Sequence, residues 1–160
     1  MEQPNYDKKL LKRKWQTKFF KLVKNKNRFI GLCGPNSKGY LRLINNLEFR
    51  TIILYDTNAK NLRAVTLQSN LVRFNDNINN SLSVDAFYDL DYCCWISKIE
   101  MHLTKIMKIK EFTLTVALRE KGGEEKTLNI LRKYGRNFMY RVYRESGTPM
   151  MILYFPQQTK

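Results

Sequence analysis

At 160 residues the chain is long enough for one domain with a real core and too short for two substantial ones. Its 29 Lys and Arg against 14 Asp and Glu give a formal charge of +15, which speaks to polyanionic partners rather than to a fold. Three cysteines, two of them the neighbours Cys93 and Cys94, make a poor disulfide framework. No run approaches the ~18 apolar residues of a membrane span, and no signal-peptide core stands at the N-terminus, so a reducing, intracellular setting is expected.

In chain order, the first predicted element is a helix from Tyr6 to about Val23. Leu11, Trp15, Phe19 and Leu22 fall on one stripe and are the expected anchors, with Lys8, Lys9, Lys12, Arg13, Lys14, Lys18, Lys21 and Lys24 around the rest of the circumference. Residues 8–28 hold ten cations and no acid, leaving residues 29–160 at +7, so a basic arm (1–28) on a milder body (29–160) is expected.

After Asn27 the periodicity changes to two. Segments 40–44, 48–56, 62–73, 94–104, 111–119, 126–133, 137–144 and 149–155 are short, rich in β-branched and aromatic residues, and separated by turn residues. Three hairpins are predicted: FRTIILYD with LRAVTLQSNLVRF, EFTLTVALRE with EEKTLNILRK across Lys-Gly-Gly, and NFMYRVYR with MMILYF across ESGTP. The Asn- and Ser-rich NDNINNSLSVDAF reads as a surface loop. The expected fold is therefore all-β, a sandwich or jelly roll of about eight strands carrying a basic amphipathic N-terminal helix.

The stretch GLCGPNSKG, residues 31–39, enters a glycine-containing turn from an apolar run, as phosphate-binding loops do. A Walker loop needs G-x-x-x-x-G-K-[ST], because successive backbone N–H groups wrap phosphates while the lysine and hydroxyl serve the terminal phosphate and magnesium. Here Lys38 precedes the last glycine and Tyr40 stands in the hydroxyl position. GPNSKGYLRLI resembles the Walker stretch of ATP-binding cassette proteins with residues deleted, and TIILYD resembles a Walker B strand ending in Asp56. The lost Gly-Lys-Ser/Thr favours a structural turn built from Pro35, Asn36 and Gly39.

Enzymatic chemistry finds few parts. His102 is the only histidine, which removes zinc sites with several His ligands. Cys93 and Cys94 beside Trp95 read as core. Asp85, Asp89, Asp91 and Glu100 could converge on magnesium, but their spacing matches no nuclease pattern and a polar loop feeding a strand is the simpler reading. No catalytic residue, metal or cofactor is expected.

A second basic stretch, residues 132–144, interleaves Arg132, Lys133, Arg136, Arg141 and Arg144 with Tyr134, Phe138, Tyr140 and Tyr143, a composition suited to single-stranded nucleic acid. KYGRNFMY resembles the RNP1 strand of RNA-recognition motifs, with a broken glycine pattern. Strand alternation puts Phe138, Tyr140 and Val142 on one face and Met139, Arg141 and Tyr143 on the other.

A basic helical arm on an all-β body resembles, in architecture alone, small single-jelly-roll viral coat proteins. That resemblance implies a non-enzymatic, self-assembling capsid protein whose arm neutralises packaged DNA or RNA, in the virion or in the host nucleus or cytoplasm. The alternatives are a viral movement factor or silencing suppressor that coats single strands, or a β protein bound to an anionic membrane through Trp15, Phe19 and Phe20.

Overall fold

The computed structural model describes residues 10–35, 37–119, 121–145 and 147–157. It contains one seven-stranded sheet of order β3-β2-β1-β4-β5-β7-β6. The strands are β1 (Arg28–Leu32), β2 (Thr51–Tyr55), β3 (Leu71–Phe74), β4 (Phe87–Asp91), β5 (Glu111–Ala117), β6 (Met139–Glu145) and β7 (Thr148–Phe155). The first five run parallel, whereas β7 is antiparallel to both of its neighbours.

Helices fill the crossovers that parallel strands require. α1 (Leu10–Phe20) precedes β1, α2 (Ser37–Asn45) joins β1 to β2, and α3 (Ala59–Arg63) joins β2 to β3. α4 (Ile96–Ile99) and α5 (Leu103–Ile106) lie between β4 and β5, and α6 (Gly123–Arg132) between β5 and β6. The all-β sandwich is thus corrected to an open, mostly parallel α/β sheet covered on both faces.

Three local readings fail for identifiable reasons. YLRLI alternates like a strand but also places Tyr40, Leu41 and Ile44 on one buried helical face, and it forms α2. TLNILR likewise buries Thr127, Leu128, Ile130 and Leu131 together in α6. The Gly-Gly before it is a helix start, with Gly122 left-handed at φ 66° and Gly123 pressed so close to Leu118 that a Cβ would stand 2.9 Å from its carbonyl oxygen. Of the three predicted hairpins, only β6–β7 forms; β2 and β3 pair in parallel around α3.

Alternating strand residues feed two cores. One holds Ile30, Tyr88, Leu90, Phe112, Leu114, Met151 and Leu153 with residues of α4, α5 and α6. The other holds Phe29, Ile52, Leu54, Phe87, Ile152 and Tyr154 beneath Phe19, Phe20 and Val23 of α1 and its following turn, and Tyr40, Leu41 and Ile44 of α2. Buried Glu111 fixes the chain after α1: its carboxylate accepts from the Lys24 and Asn25 amides and from the Tyr154 hydroxyl. Burial and that carboxylate push the Tyr154 phenol well above its ordinary range.

Candidate functional site

From β1 the chain moves outward to β2 and β3, then returns to lay β4 against the opposite edge of β1. Loops leaving β1 and β4 therefore diverge, and in open α/β sheets the crevice outside the strands' carboxyl ends at such a switch point is where ligands bind. A cleft of about 450 Å3 lies there, lined from Cys33–Gly34–Pro35 after β1, Asp56 and Thr57 after β2, Asp76 and Asn77 after β3, and Asp89, Asp91 and Tyr92 in and after β4. Lys12, Arg13 and Gln16 of α1 roof it.

The rim is stitched across three strands. Gly34, left-handed at φ 71°, donates its N–H to Asp56 Oδ2 at 3.0 Å. The same carboxylate accepts from the Asn58 N–H (2.8 Å) and from Asn61 Nδ2 (2.9 Å). The Asp56 N–H in turn donates to the Phe74 carbonyl at the end of β3. The turn expected in GLCGPNSKG, at Cys33–Gly34–Pro35, thus also lines the cleft.

The floor is polar because β4 turns Asp89 towards α1, with Thr113 of β5 beside it. Asp89 is fully buried and accepts from Tyr40 Oη at 2.5 Å, Thr113 Oγ1 at 2.7 Å and Gln16 Nε2 at 3.3 Å. Burial raises its carboxyl above 3.8, against the lowering effect of those hydroxyls and of Lys12 and Arg13. Tyr40 is pushed far up by its own burial and by Asp89. Gly31 makes this pairing possible, because a Cβ there would stand 2.4 Å from the Tyr40 hydroxyl.

At the mouth, the Lys12 ammonium forms an ion pair with Asp91, whose other oxygen lies 3.2 Å from Cys93 Sγ. Arg13 lies over the Tyr40 ring and donates to Gln16 at 2.7 Å. Cys93 is exposed and left-handed at φ 53°, so it is not core as expected, whereas half-buried Cys94 packs against the core; Cys33 is the buried thiol, raised by desolvation.

The residues expected from the sequence are placed as follows. Lys8 and Lys9 lie outside the described residues. Lys12 is buried in the cleft, Arg13 lines it, and Lys14, Lys18, Lys21 and Lys24 are exposed. The anchoring stripe is rotated: Phe19 anchors and Trp15 is half-buried, but Leu11 and Leu22 are exposed, while Lys12, Gln16, Phe20 and Val23 face inward. Arg136 is buried, its guanidinium donating to the carbonyls of Met107, Ile109, Lys110 and Pro156 beside the stacked rings of Phe112 and Phe155. Arg132 and Lys133 are exposed at the C-terminal end of α6 on the sheet face opposite α1, Arg144 is exposed, and Arg141 stands beside α1 over Trp15.

Asp56, Tyr40, Asp76 and Asn77 were not singled out as site residues. Asp56 carries a usable signal, an acid ending an apolar strand 22 residues after Gly34, close to the ~20-residue spacing of ribose-binding acids in dinucleotide folds. Of the four carboxylates weighed for magnesium, only Asp89 and Asp91 reach the cleft; Asp85 pairs with Lys110 at 3.8 Å on the surface and Glu100 is exposed. Among the described residues no three His, Cys, Asp or Glu converge as a metal would require, and no helix is long and apolar enough to cross a membrane.

No protein-family model and no curated protein matches the chain. Solved structures do. Human methyltransferase-like protein 13 in complex with SAH superposes with a TM-score of 0.67 at 13% identity, over 93% of this chain and 83% of that one. A putative S-adenosylmethionine-dependent methyltransferase from Listeria monocytogenes gives 0.64 at 10% identity, over 93% of this chain and 100% of that one. Precorrin 8w decarboxylase from Methanobacterium thermoautotrophicum gives 0.58 at 17% identity, over 91% and 89%. At such identities the likeness is one of fold. It overturns the resemblance to jelly-roll coat proteins, and with it the non-enzymatic capsid role and its viral alternatives.

Proposed function

We propose that the chain is an enzyme, a methyltransferase that takes its methyl group from S-adenosylmethionine. The observation that carries this reading is the cleft at the β1/β4 switch point, where four parallel strands end in Gly34, Asp56, Asp76 and Asp91 within one fold shared with methyltransferases.

The chemistry of the lining fits the donor. A cleft of about 450 Å3 falls in the range of small-molecule sites. The donor carries a ribose diol, a purine and a cationic sulfonium, and the lining offers four carboxylates, Asp56, Asp76, Asp89 and Asp91, against Lys12 and Arg13. Asp56 accepts three of the roughly four hydrogen bonds a carboxylate can take, which leaves capacity for a ribose hydroxyl. Asp76 and Asn77, at the end of β3, stand where the purine edge would be held. Bound there, S-adenosylmethionine supplies an electrophilic methyl group on sulfur.

The chain's own residues divide the remaining work. Asp89 is a positioning residue: with Tyr40 and Thr113 beneath and Gln16 above, it docks α1 over the cleft. Lys12 pairs with Asp91 and fixes its carboxylate at the cleft mouth, and Asp91 orients an acceptor hydroxyl or amine and takes the proton that the nucleophile releases.

The test is transfer of radiolabelled methyl from S-adenosylmethionine to cellular macromolecules. Asp91→Asn should lower turnover by about 10²- to 10⁴-fold while leaving affinity for S-adenosylhomocysteine nearly unchanged. Full activity in that variant would remove Asp91 from the chemistry.

A further inference from the structure

The two basic stretches, far apart in sequence, meet in space. α1 lies against β6, and the half-buried Trp15 ring has Lys14 Nζ at 5.2 Å, Lys18 Nζ at 4.8 Å and the Arg141 guanidinium carbon at 5.4 Å. Lys14, Lys18 and Lys21 follow one another at spacings of four and three, so they form one exposed row along the helix and its last turn. Among the described residues, the carboxylates that α1 and its following turn touch are already engaged. Asp91 pairs with Lys12, Asp89 accepts from Tyr40, Thr113 and Gln16, and Glu111 accepts from Tyr154 and two backbone amides. None of them neutralises the outer row. Lys12 and Arg13 of the same helix line the cleft, and Lys14, the first residue of the row, follows Arg13 directly in the chain.

We infer that single-stranded nucleic acid is the methyl acceptor, its phosphates held by Lys14, Lys18, Lys21 and Arg141 so that one nucleotide reaches Lys12 and Asp91. The inference rests on the methyltransferase reading for the word acceptor and on the charge row for the binding. Charge complementarity favours a polyanion over a lipid surface, because Phe19 and Phe20, two of the three aromatics a membrane-lying helix would immerse, are buried in the protein's own core. Four flexible cations in a row hold phosphates without reading bases, so affinity should depend on salt and little on sequence.

The experiment is a fluorescence-anisotropy titration of labelled single-stranded RNA and DNA oligonucleotides over a range of salt. It uses the wild-type chain and the triple variant Lys14→Gln, Lys18→Gln, Arg141→Gln, whose side chains lie outside the cleft. Losing three phosphate contacts should reduce the magnitude of the salt slope by about 2 and weaken binding on the order of 50-fold at 0.15 M salt. Affinity for S-adenosylhomocysteine, measured in parallel, should stay as in the wild type, which also shows that the variant is folded. Equal oligonucleotide binding by a variant that still takes S-adenosylhomocysteine would overturn the inference, as would binding only to phosphatidylserine vesicles. Should the oligonucleotides bind through this row while the wild type fails to take S-adenosylhomocysteine, the basic face stands and the methyltransferase reading falls. The RNA and DNA arms identify which strand is preferred.

Discussion

Two residues show how tightly the cleft is specified. Gly31 sits mid-strand, where glycine is ordinarily a weakness, yet any Cβ would collide with the Tyr40 hydroxyl at 2.4 Å and with Phe29 at 2.9 Å. Gly31→Ala should therefore destabilise by about 1–3 kcal/mol in a urea melt, because neither ring has space to retreat; an unchanged midpoint would mean that Tyr40 is not seated on Asp89. Asp89 yields a prediction with a definite sign. Its folded carboxyl, raised chiefly by burial above its ordinary 3.8, binds a proton more tightly than the unfolded one. Its contribution to stability is therefore greatest below 3.8 and is lost as pH rises through the folded value. Compared with Asp89→Asn, which cannot titrate, the wild type should lose relative stability as pH rises above 3.8. A flat or rising difference in paired denaturation curves would contradict this origin of the shift.

At the scale of elements, α1 explains why its sequence misleads. The stripe of Leu11, Trp15, Phe19 and Leu22 is the most apolar one available, so hydrophobic periodicity selects it. The sheet beneath, however, offers Asp89 and Asp91 as well as apolar side chains, and a face carrying Lys12 and Gln16 with Phe19, Phe20 and Val23 satisfies both. Buried cations chosen by buried carboxylates leave no signature in periodicity. Phe20 is completely buried, edge-on to Phe29 and Phe87 with centroids 5.5 Å apart, so Phe20→Ala should cost about 3–5 kcal/mol and loosen the roof of the cleft. A loss below about 1 kcal/mol would show that α1 is not docked there. The β6–β7 hairpin was legible because its turn and its two alternating strands are local. The parallel pairs were not, since their partners meet only across a crossover and short apolar runs such as YLRLI serve a helix as well as a strand.

For the whole molecule, topology decides what composition left open. The charge of +15 fits an all-β shell and an α/β domain equally, and the order β3-β2-β1-β4-β5-β7-β6 separates those two folds. The site is half visible in the sequence: GLCGPNSKG and TIILYD both contribute to it, but neither matches a Walker phosphate loop. Their actual relation is a hydrogen bond from the Gly34 N–H to the Asp56 carboxylate between the loops that follow two neighbouring parallel strands, which strand pairing creates and neither stretch displays alone. The most direct measurement is a calorimetric titration of the wild-type chain with S-adenosylhomocysteine, repeated on Asp56→Ala. Saturable binding by the wild type, weakened about 10-fold or more in the variant as a charged hydrogen-bond acceptor is removed, is the expected result. No saturable binding by the folded wild type, or equal affinity in Asp56→Ala, would contradict the assignment of this cleft.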